Sequence, residues 1–394
     1  MEYREIGRTG LRASVVGLGA EHLDNKPPET VAETIDAAFD HGMNIMDVFM
    51  PGAAVRGHIG RALAGRRERM IIQGHIGSTD VSEQYDRSRD LAVCQRFFED
   101  LLRLLQTDYI DLGMLFFLDD NESIDAVLNN GILDYARRLK ERGVIRAIGA
   151  SVHNPAAAKR LVEEGLVEML MFSINPAFDC MPGAGDIAGM LGQASAAWVS
   201  HACPERAALY RLCGERGVGI TAMKSLAAGK LLSAEQTPFA VPLTPTQCIH
   251  YALTRPAVAS ALVGCQSRAQ VEAAARYALA SADERDYTGV ISQFREDGKG
   301  GFAGQCLYCS HCLPCPAQID VAAVHKCFDM ARAAGGGVSP GAAGHYAALR
   351  VRADACLACG DCEGRCPFGV PVIDNMKKAA ALFAGHGDFR VAHA

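Results

Sequence analysis

Long apolar runs are missing from this sequence. No stretch reaches the ~20 apolar residues that a membrane-spanning helix needs. The opening residues Met1-Glu2-Tyr3-Arg4-Glu5 lack the basic-then-apolar pattern of a secretion signal. These absences give the expectation of a cytoplasmic protein with no membrane partner. A surplus of positive charge is missing too. The 39 Lys and Arg stand against 45 Asp and Glu, a net charge of −6. Nucleic-acid binding needs a basic face, so no nucleic-acid partner is expected. The one dense basic run, residues 66–69, is interrupted by Glu68 and reads as a helix end facing solvent. Neither a Gly-x-Gly-x-x-Gly turn nor a Walker-type loop occurs, which removes support for the usual nucleotide-binding folds. With 49% apolar and 21% charged residues, the composition is that of an ordinary globular chain.

Cysteine is what the sequence has in excess, with fifteen in 394 residues. An odd number without a secretion signal argues against a disulfide framework. Cys94, Cys180, Cys203, Cys213, Cys248, Cys265 and Cys327 are scattered, and the other eight form two runs. The first is Cys306-x2-Cys309-x2-Cys312-x2-Cys315-Pro316. The second is Cys356-x2-Cys359-x2-Cys362-x3-Cys366-Pro367. The second matches the bacterial ferredoxin spacing in full, and the first is one residue short before its last cysteine. Three thiolates at two-residue steps hold one cubane, while the cysteine before proline crosses to the other cluster. The spacing therefore assigns one 4Fe–4S cluster to Cys306, Cys309, Cys312 and Cys366. A second goes to Cys356, Cys359, Cys362 and Cys315. Structural zinc is the alternative, but it takes its ligands in pairs with longer gaps.

Residues 1–280 alternate short apolar runs with helix-period segments. The runs at 14–18, 44–47, 70–75, 109–114, 147–150, 169–172, 219–223 and 261–263 read as parallel strands buried on both faces. Helices are expected at 30–42, at 91–105 and from Pro155, which suits a first helical turn. Eight strand–helix pairs give a (β/α)8 TIM barrel. A small, mainly helical, ferredoxin-like two-cluster iron–sulfur domain follows it, with helix-like stretches at 321–333 and 342–351. The expected boundaries are 1–285 for the barrel, 286–301 for a linker, 302–376 for the cluster domain and 377–394 for a tail. The connection at 176–202 is too long for an ordinary βα loop and suggests a lid over the C-terminal face.

Several short motifs recur in a definite order. They are Tyr3-Arg4-Glu5-Ile6-Gly7-Arg8-Thr9-Gly10-Leu11, Val16-Gly17-Leu18-Gly19, the stretch 44–47, Ile59-Gly60-Arg61-Ala62-Leu63, Thr107-Asp108-Tyr109-Ile110-Asp111-Leu112, Gly143-Val144-Ile145-Arg146, Ile148-Gly149-Ala150-Ser151 and Val263-Gly264. Together they resemble the aldo-keto reductases over residues 1–280. With the cysteine runs, the chain resembles a branch of that family that carries a 4Fe–4S ferredoxin-like domain and is found largely in anaerobes. The resemblance implies carbonyl chemistry with NADP(H) and a site of aspartate, tyrosine, lysine and histidine. Carried over position by position, Asp47 matches the aspartate. Gly52 stands where tyrosine is expected, His75 where lysine is expected, and Phe116 where histidine is expected. One of four groups is kept, so the tetrad is degenerate. Ser151 and Asn154 match positions that hold the nicotinamide amide. Gly264, Ser267 and Arg268 resemble the turn that cradles the dinucleotide phosphate.

Other polar residues stand at strand ends, where barrel enzymes do chemistry. His75 and His153 are candidate proton carriers, with Asp47 a candidate partner for His75. Asn175 and Lys224 end the sixth and seventh strands and are candidate cofactor contacts. Phe49, Met50, Phe116, Phe117, Phe172 and Phe178 are expected at the rim, as packing or as an apolar pocket. The reading is an iron–sulfur oxidoreductase acting on a small organic substrate. An electron-transfer partner such as a ferredoxin or flavoprotein is a candidate, and a flavin is left open. Clusters move single electrons whereas nicotinamide moves a hydride, which keeps two alternatives in play. One is a non-catalytic electron-transfer subunit. The other is a redox-neutral lyase or isomerase using His75.

Overall fold

The structure, a computed structural model, describes residues 1–81, 84–179, 204–293, 304–306, 308, 312–333, 338, 340–366 and 369–384. Cys180, Cys203, Cys309, Pro367, most of the 176–202 connection, the 297–301 part of the linker and the end of the tail lie outside the described residues. Over the described residues the chain divides into two compact units. One holds 1–80, 87–179 and 204–293, and the other holds 81, 84–86 and the described residues from 304 onward.

The first unit is a closed barrel of eight parallel strands. They are β1 (Val16–Gly19), β2 (Ile45–Val48), β3 (Ile71–Ile76), β4 (Ile110–Leu115), β5 (Ile145–Val152), β6 (Met169–Ser173), β7 (Gly219–Met223) and β8 (Val258–Gly264). Every strand expected from the sequence is present. Each is buried on both faces, as continuous apolar runs require. The surrounding helices are α1 (Pro28–Asp40), α2 (Ala53–Leu63), α3 (Leu91–Leu105), α4 (Ile132–Glu141), α5 (Pro155–Glu163), α6 (Pro204–Arg216), α7 (Pro245–Leu253) and α8 (Arg268–Ala275). A further helix, Asn121–Asn129, precedes α4. Helix α3 has the expected bounds because Asp90 caps it, accepting the Val93 N–H at 2.9 Å. Pro155 opens α5 as expected.

Ile45, Ile71, Leu112, Ala147, Met169, Met171 and Leu262 fill the barrel interior together with Ile6, Leu11 and Ala13. The last three belong to the N-terminal hairpin Tyr3–Glu5/Arg12–Ser14. That hairpin plugs the end where the strands begin. The approach is so close that a Cβ on Gly7, at φ 51°, would stand 2.3 Å from the Gly219 nitrogen. Only the C-terminal end is left for a site.

Two expectations are corrected. Arg67, in the basic run, turns inward and pairs with Asp111 at 2.9 Å while its guanidinium covers the Tyr109 ring. A buried carboxylate at the start of β4 needs that charge. Phe172 is not at the rim. It is fully buried in the layer between barrel and helices, against Tyr210 and under Arg206. Strand alternation points Met171 inward and Phe172 outward.

From residue 304 onward the second unit carries the helices α9 (Val321–Ala333), α10 (Pro340–Ala347), α11 (Asp361–Arg365) and α12 (Val372–Phe383), while its residues 84–86 belong to the strand Gln84–Arg87. Helix α9 has the bounds read from sequence. Helix α10 stops at Ala347, earlier than expected, where Arg352 donates to the Ala347 carbonyl at 2.9 Å. Tyr346 stacks on Phe383 with centroids 4.0 Å apart. Among the described residues, no helix is long and apolar enough to cross a membrane.

Candidate active site

The upper interior of the barrel carries a buried polar group. His75 Nε2 lies 2.8 Å from Asp47 Oδ1, and Gln73 donates its side-chain amide to the same oxygen at 3.1 Å. The register explains the meeting, since β2 and β3 are neighbours with Asp47 opposite Gln73. Both partners are buried, with side-chain exposures of 1% for His75 and 3% for Asp47. The His75 ring lies edge-on to Phe116 at 5.1 Å and to Phe49 at 6.1 Å. Those two phenyl rings stack on each other at 5.9 Å. Among the described residues, the other ring nitrogen, Nδ1, has no hydrogen-bond partner.

A second group stands at the barrel mouth. Asp119, in the loop after β4, accepts the His153 backbone N–H at 2.6 Å and its ring Nδ1 at 2.9 Å. On the far side of the ring, His153 Nε2 is 3.0 Å from Lys224 Nζ. A carboxylate only accepts and an ammonium only donates, so the imidazole between them is neutral with its hydrogen on Nδ1. Burial lowers the His153 pKa, Lys224 and Arg206 act the same way, and Asp119 opposes them. Burial raises Asp119, but His153 and Lys224 outweigh it and leave the carboxyl below its ordinary range. Asp119 was not among the residues expected from sequence. The available signal was the doublet Asp119-Asp120 at a strand end. Asp120 suffices to cap the next helix, accepting the Ser123 N–H at 2.6 Å, which leaves Asp119 for other work.

Lys224 follows β7 directly in a left-handed conformation, φ 59°. Its carbonyl accepts the Asn175 Nδ2 at 2.9 Å, and Asn175 Oδ1 accepts the Phe178 N–H at 2.9 Å. Both ends of that amide are engaged in shaping the mouth. Glu21, in the turn Ala20–Leu23 after β1, interacts electrostatically with Lys224 and Asp47. Burial pushes its carboxyl pKa up, His22 and Lys224 oppose, and Asp47 and Asp24 reinforce.

The remaining expected residues are placed as follows. Ser151 Oγ accepts the Phe117 N–H at 2.8 Å. Asn154 caps α5, its Oδ1 accepting Ala156 N at 2.8 Å. Gly264 ends β8, where a Cβ would run into the His22 ring at 2.5 Å. Ser267 is the residue before α8, and its side chain makes no capping bond. Arg268 pairs with Asp40 at 3.2 Å and Glu272 at 3.5 Å. Ser225, next to Lys224, is buried, and its hydroxyl has no hydrogen-bond partner among the described residues.

In the second unit, Cys315, Cys356, Cys359 and Cys362 line one pocket, walled by Pro314, Pro316, Ile319, Val321, Val372 and Met376. Burial pushes the Cys362 thiol up to about 11, and Cys356 and Cys359 facing it act the same way. Arg365 donates to the Pro314 carbonyl at 2.7 Å, tying the end of one cysteine run to the end of the other. Gln84 accepts the Cys315 N–H at 2.7 Å. Cys306 and Cys366 are half-buried and Cys312 is buried. Among the described residues, no three His, Cys, Asp or Glu converge closely enough to hold a single metal ion.

Residues 15–179 match the model of the Aldo/keto reductase family. The barrel is an aldo/keto reductase fold. Aldo-keto reductase YhdN of Bacillus subtilis is 30% identical over 160 residues, 38% of this chain and 47% of that protein. The oxidoreductase YqkF of the same organism is 28% identical over 186 residues, 46% of this chain and 58% of that protein. The chain thus spans about half the length of the curated relatives it matches. Among solved structures, the holo form of aldo-keto reductase AKR11C1 from Bacillus halodurans superposes with a TM-score of 0.57. It has 23% identity and covers 76% of this chain and 99% of that one.

Gly52 precedes α2, and a Cβ there would meet Asp24 at 3.3 Å. His75 bonds Asp47 through its Nε2. Phe116 packs edge-on against His75.

Proposed function

We propose that this chain is an iron–sulfur oxidoreductase of the aldo-keto reductase type, acting on a small organic carbonyl compound at the barrel mouth. The observation that carries this is the pair of proton-holding groups at the C-terminal end of the barrel. Asp47–His75 lies within, and Asp119–His153–Lys224 lies above. Barrel enzymes work at that end.

The residues fit the two groups the reading implies. Four thiols drawn from both cysteine runs line one apolar pocket, which supports a cluster there. Cys315, Cys356, Cys359 and Cys362 would hold one cluster. Cys306, Cys312, Cys366 and Cys309 would hold the other, with Cys309 outside the described residues. The clusters would supply single-electron transfer. For NADP(H), the buried Ser225 hydroxyl, unpartnered among the described residues, and the Ser267 side chain, which makes no capping bond, suit a phosphate beside β7 and β8. A bound nicotinamide supplies hydride. The chain's own residues then exclude water with Phe49, Phe116 and Phe117, and hold protons at His153 Nδ1 and Lys224 Nζ.

Anaerobic purification with iron and sulfide analysis, followed by NADPH titration, tests the reading. About eight iron atoms per chain and saturable NADPH binding are expected. An iron-free, zinc-loaded chain would contradict it. The second reading, a non-catalytic electron-transfer subunit, draws on the enclosure of His75 by Phe49 and Phe116. It requires iron without NADPH binding.

A further inference from the structure

We propose that Arg87 is the substrate-recognising cation of the barrel mouth, and that the small carbonyl compound taken there carries a carboxylate. This rests on the reductive reading above and deepens it by naming the substrate class.

Three observations carry it. The first is position. Arg87 ends the strand Gln84–Arg87, and the next residue, Ser88, donates its N–H to the Gly77 carbonyl at 3.0 Å. Gly77 follows β3 directly, so Arg87 is held at the C-terminal end of the barrel, where barrel enzymes bind substrate.

The second is orientation. The Arg87 guanidinium lies over the Phe117 ring, 4.2 Å from its centroid. That ring is a fixed platform, because Ser151 Oγ accepts the Phe117 N–H at 2.8 Å and Arg89 Nη2 donates to its carbonyl at 2.8 Å. It stands 5.2 Å from the His153 ring and 6.2 Å from Phe116, which packs on His75. One phenyl ring therefore separates an anion at Arg87 from His153.

The third is an unanswered charge. Arg87 is half-buried, yet among the described residues it makes no hydrogen bond and no ion pair. A ring contact gives none of its five N–H donors an oxygen acceptor. Carboxylates of the same end are committed elsewhere. Asp47 is bonded to His75 and Gln73, Asp119 to His153, and Asp90 to the first turn of α3. A planar guanidinium takes a carboxylate through two parallel hydrogen bonds, which are stronger where water is partly excluded. An aldehyde or ketone without a charge offers one neutral acceptor and gains less there.

The test compares 4-carboxybenzaldehyde with its methyl ester, which has the same body and a neutral end. Both are offered to the full-length, cluster-loaded protein with NADPH. The ratio of kcat/KM, acid over ester, is expected to fall about 10–100-fold in Arg87→Gln, the range of a hydrogen-bonded charge pair. A ratio taken within one preparation does not depend on how much of the variant folds. Arg87→Lys keeps a point charge without the fork, and its ratio is expected to fall between. Titration calorimetry supplies a readout apart from turnover. Wild type is expected to bind benzoate at least about tenfold more tightly than benzamide, and Arg87→Gln to bind the two alike.

Equal binding of benzoate and benzamide by wild type overturns the inference. A benzoate preference that survives in Arg87→Gln also overturns it, because the anion then sits elsewhere. Reduction of both probes with the same ratio in wild type and Arg87→Gln overturns the inference alone and leaves the reductive reading standing. Reduction of neither probe, with a benzoate preference that Arg87→Gln abolishes, overturns the reductive reading and supports the anion site.

Discussion

Asp47 and His75 occupy neighbouring strands with Oδ1 and Nε2 2.8 Å apart, and neither side chain exceeds 3% exposure. A buried carboxylate depends on its donors, because little water reaches it. His75→Leu leaves the Gln73 amide as the donor that remains to Oδ1. Loss of a hydrogen bond to a charged buried group costs about 2–3 kcal/mol. The expected outcome is a fall of that size in barrel stability by urea unfolding, partly recovered in His75→Gln. A loss under ~0.5 kcal/mol, the range of an ordinary surface substitution, would show that water reaches Asp47 in solution.

The cross-assignment of the cysteines is separable from the presence of clusters. Cys315 belongs to the first run yet shares a pocket with three cysteines of the second. Cys315→Ser should therefore damage the same cluster as Cys356→Ser. Each variant is expected to retain about four of eight iron atoms, with the same residual electron paramagnetic resonance spectrum. Two different residual spectra would reverse the assignment.

The strands were legible because parallel strands buried on both faces read as unbroken apolar runs. That same continuity hid which face each residue takes. In β6 the residues Met169, Leu170, Met171 and Phe172 are all apolar, so alternation gave no sign that Phe172 points away from the mouth. Asp47 and His75 could be paired in advance because they end adjacent strands. Lys224 and His153 could not, since they are 71 residues apart and follow β7 and β5, which are not neighbours. Their contact depends on the reach of a lysine side chain, which no spacing rule records. Asn154 matched a cofactor position by sequence, yet its side-chain oxygen serves as a helix cap, and both uses favour the same residue type.

Two glycines on α2 offer a paired test of packing. A Cβ on Gly60 would stand 2.3 Å from the Leu104 carbonyl oxygen and 2.9 Å from Leu105 Cα, at the last turn of α3. Gly57, three residues earlier, would meet only the flexible end of Arg61 at 3.5 Å. Alanine favours a helix over glycine by ~1 kcal/mol, whereas overpacking against backbone costs about 1–3 kcal/mol. Gly57→Ala is expected to raise Tm slightly and Gly60→Ala to lower it. Equal effects would mean that α2 and α3 are not so closely packed.

Glu21 gives a pH dependence with a definite sign. Burial raises its carboxyl above the ordinary 4.5 in the folded chain. Between that value and the raised one, the folded state keeps a proton that the unfolded state has released. Stability therefore falls as pH rises through this window. Glu21→Gln carries no titrating proton and removes this slope, while Lys224 keeps its contact with His153. The expected result is that Glu21→Gln and wild type melt together near about pH 4, with the variant increasingly more stable toward neutral pH. Thermal unfolding monitored by circular dichroism across that range measures the difference. A gap that stays constant with pH would mean that Glu21 titrates alike in the folded and unfolded states.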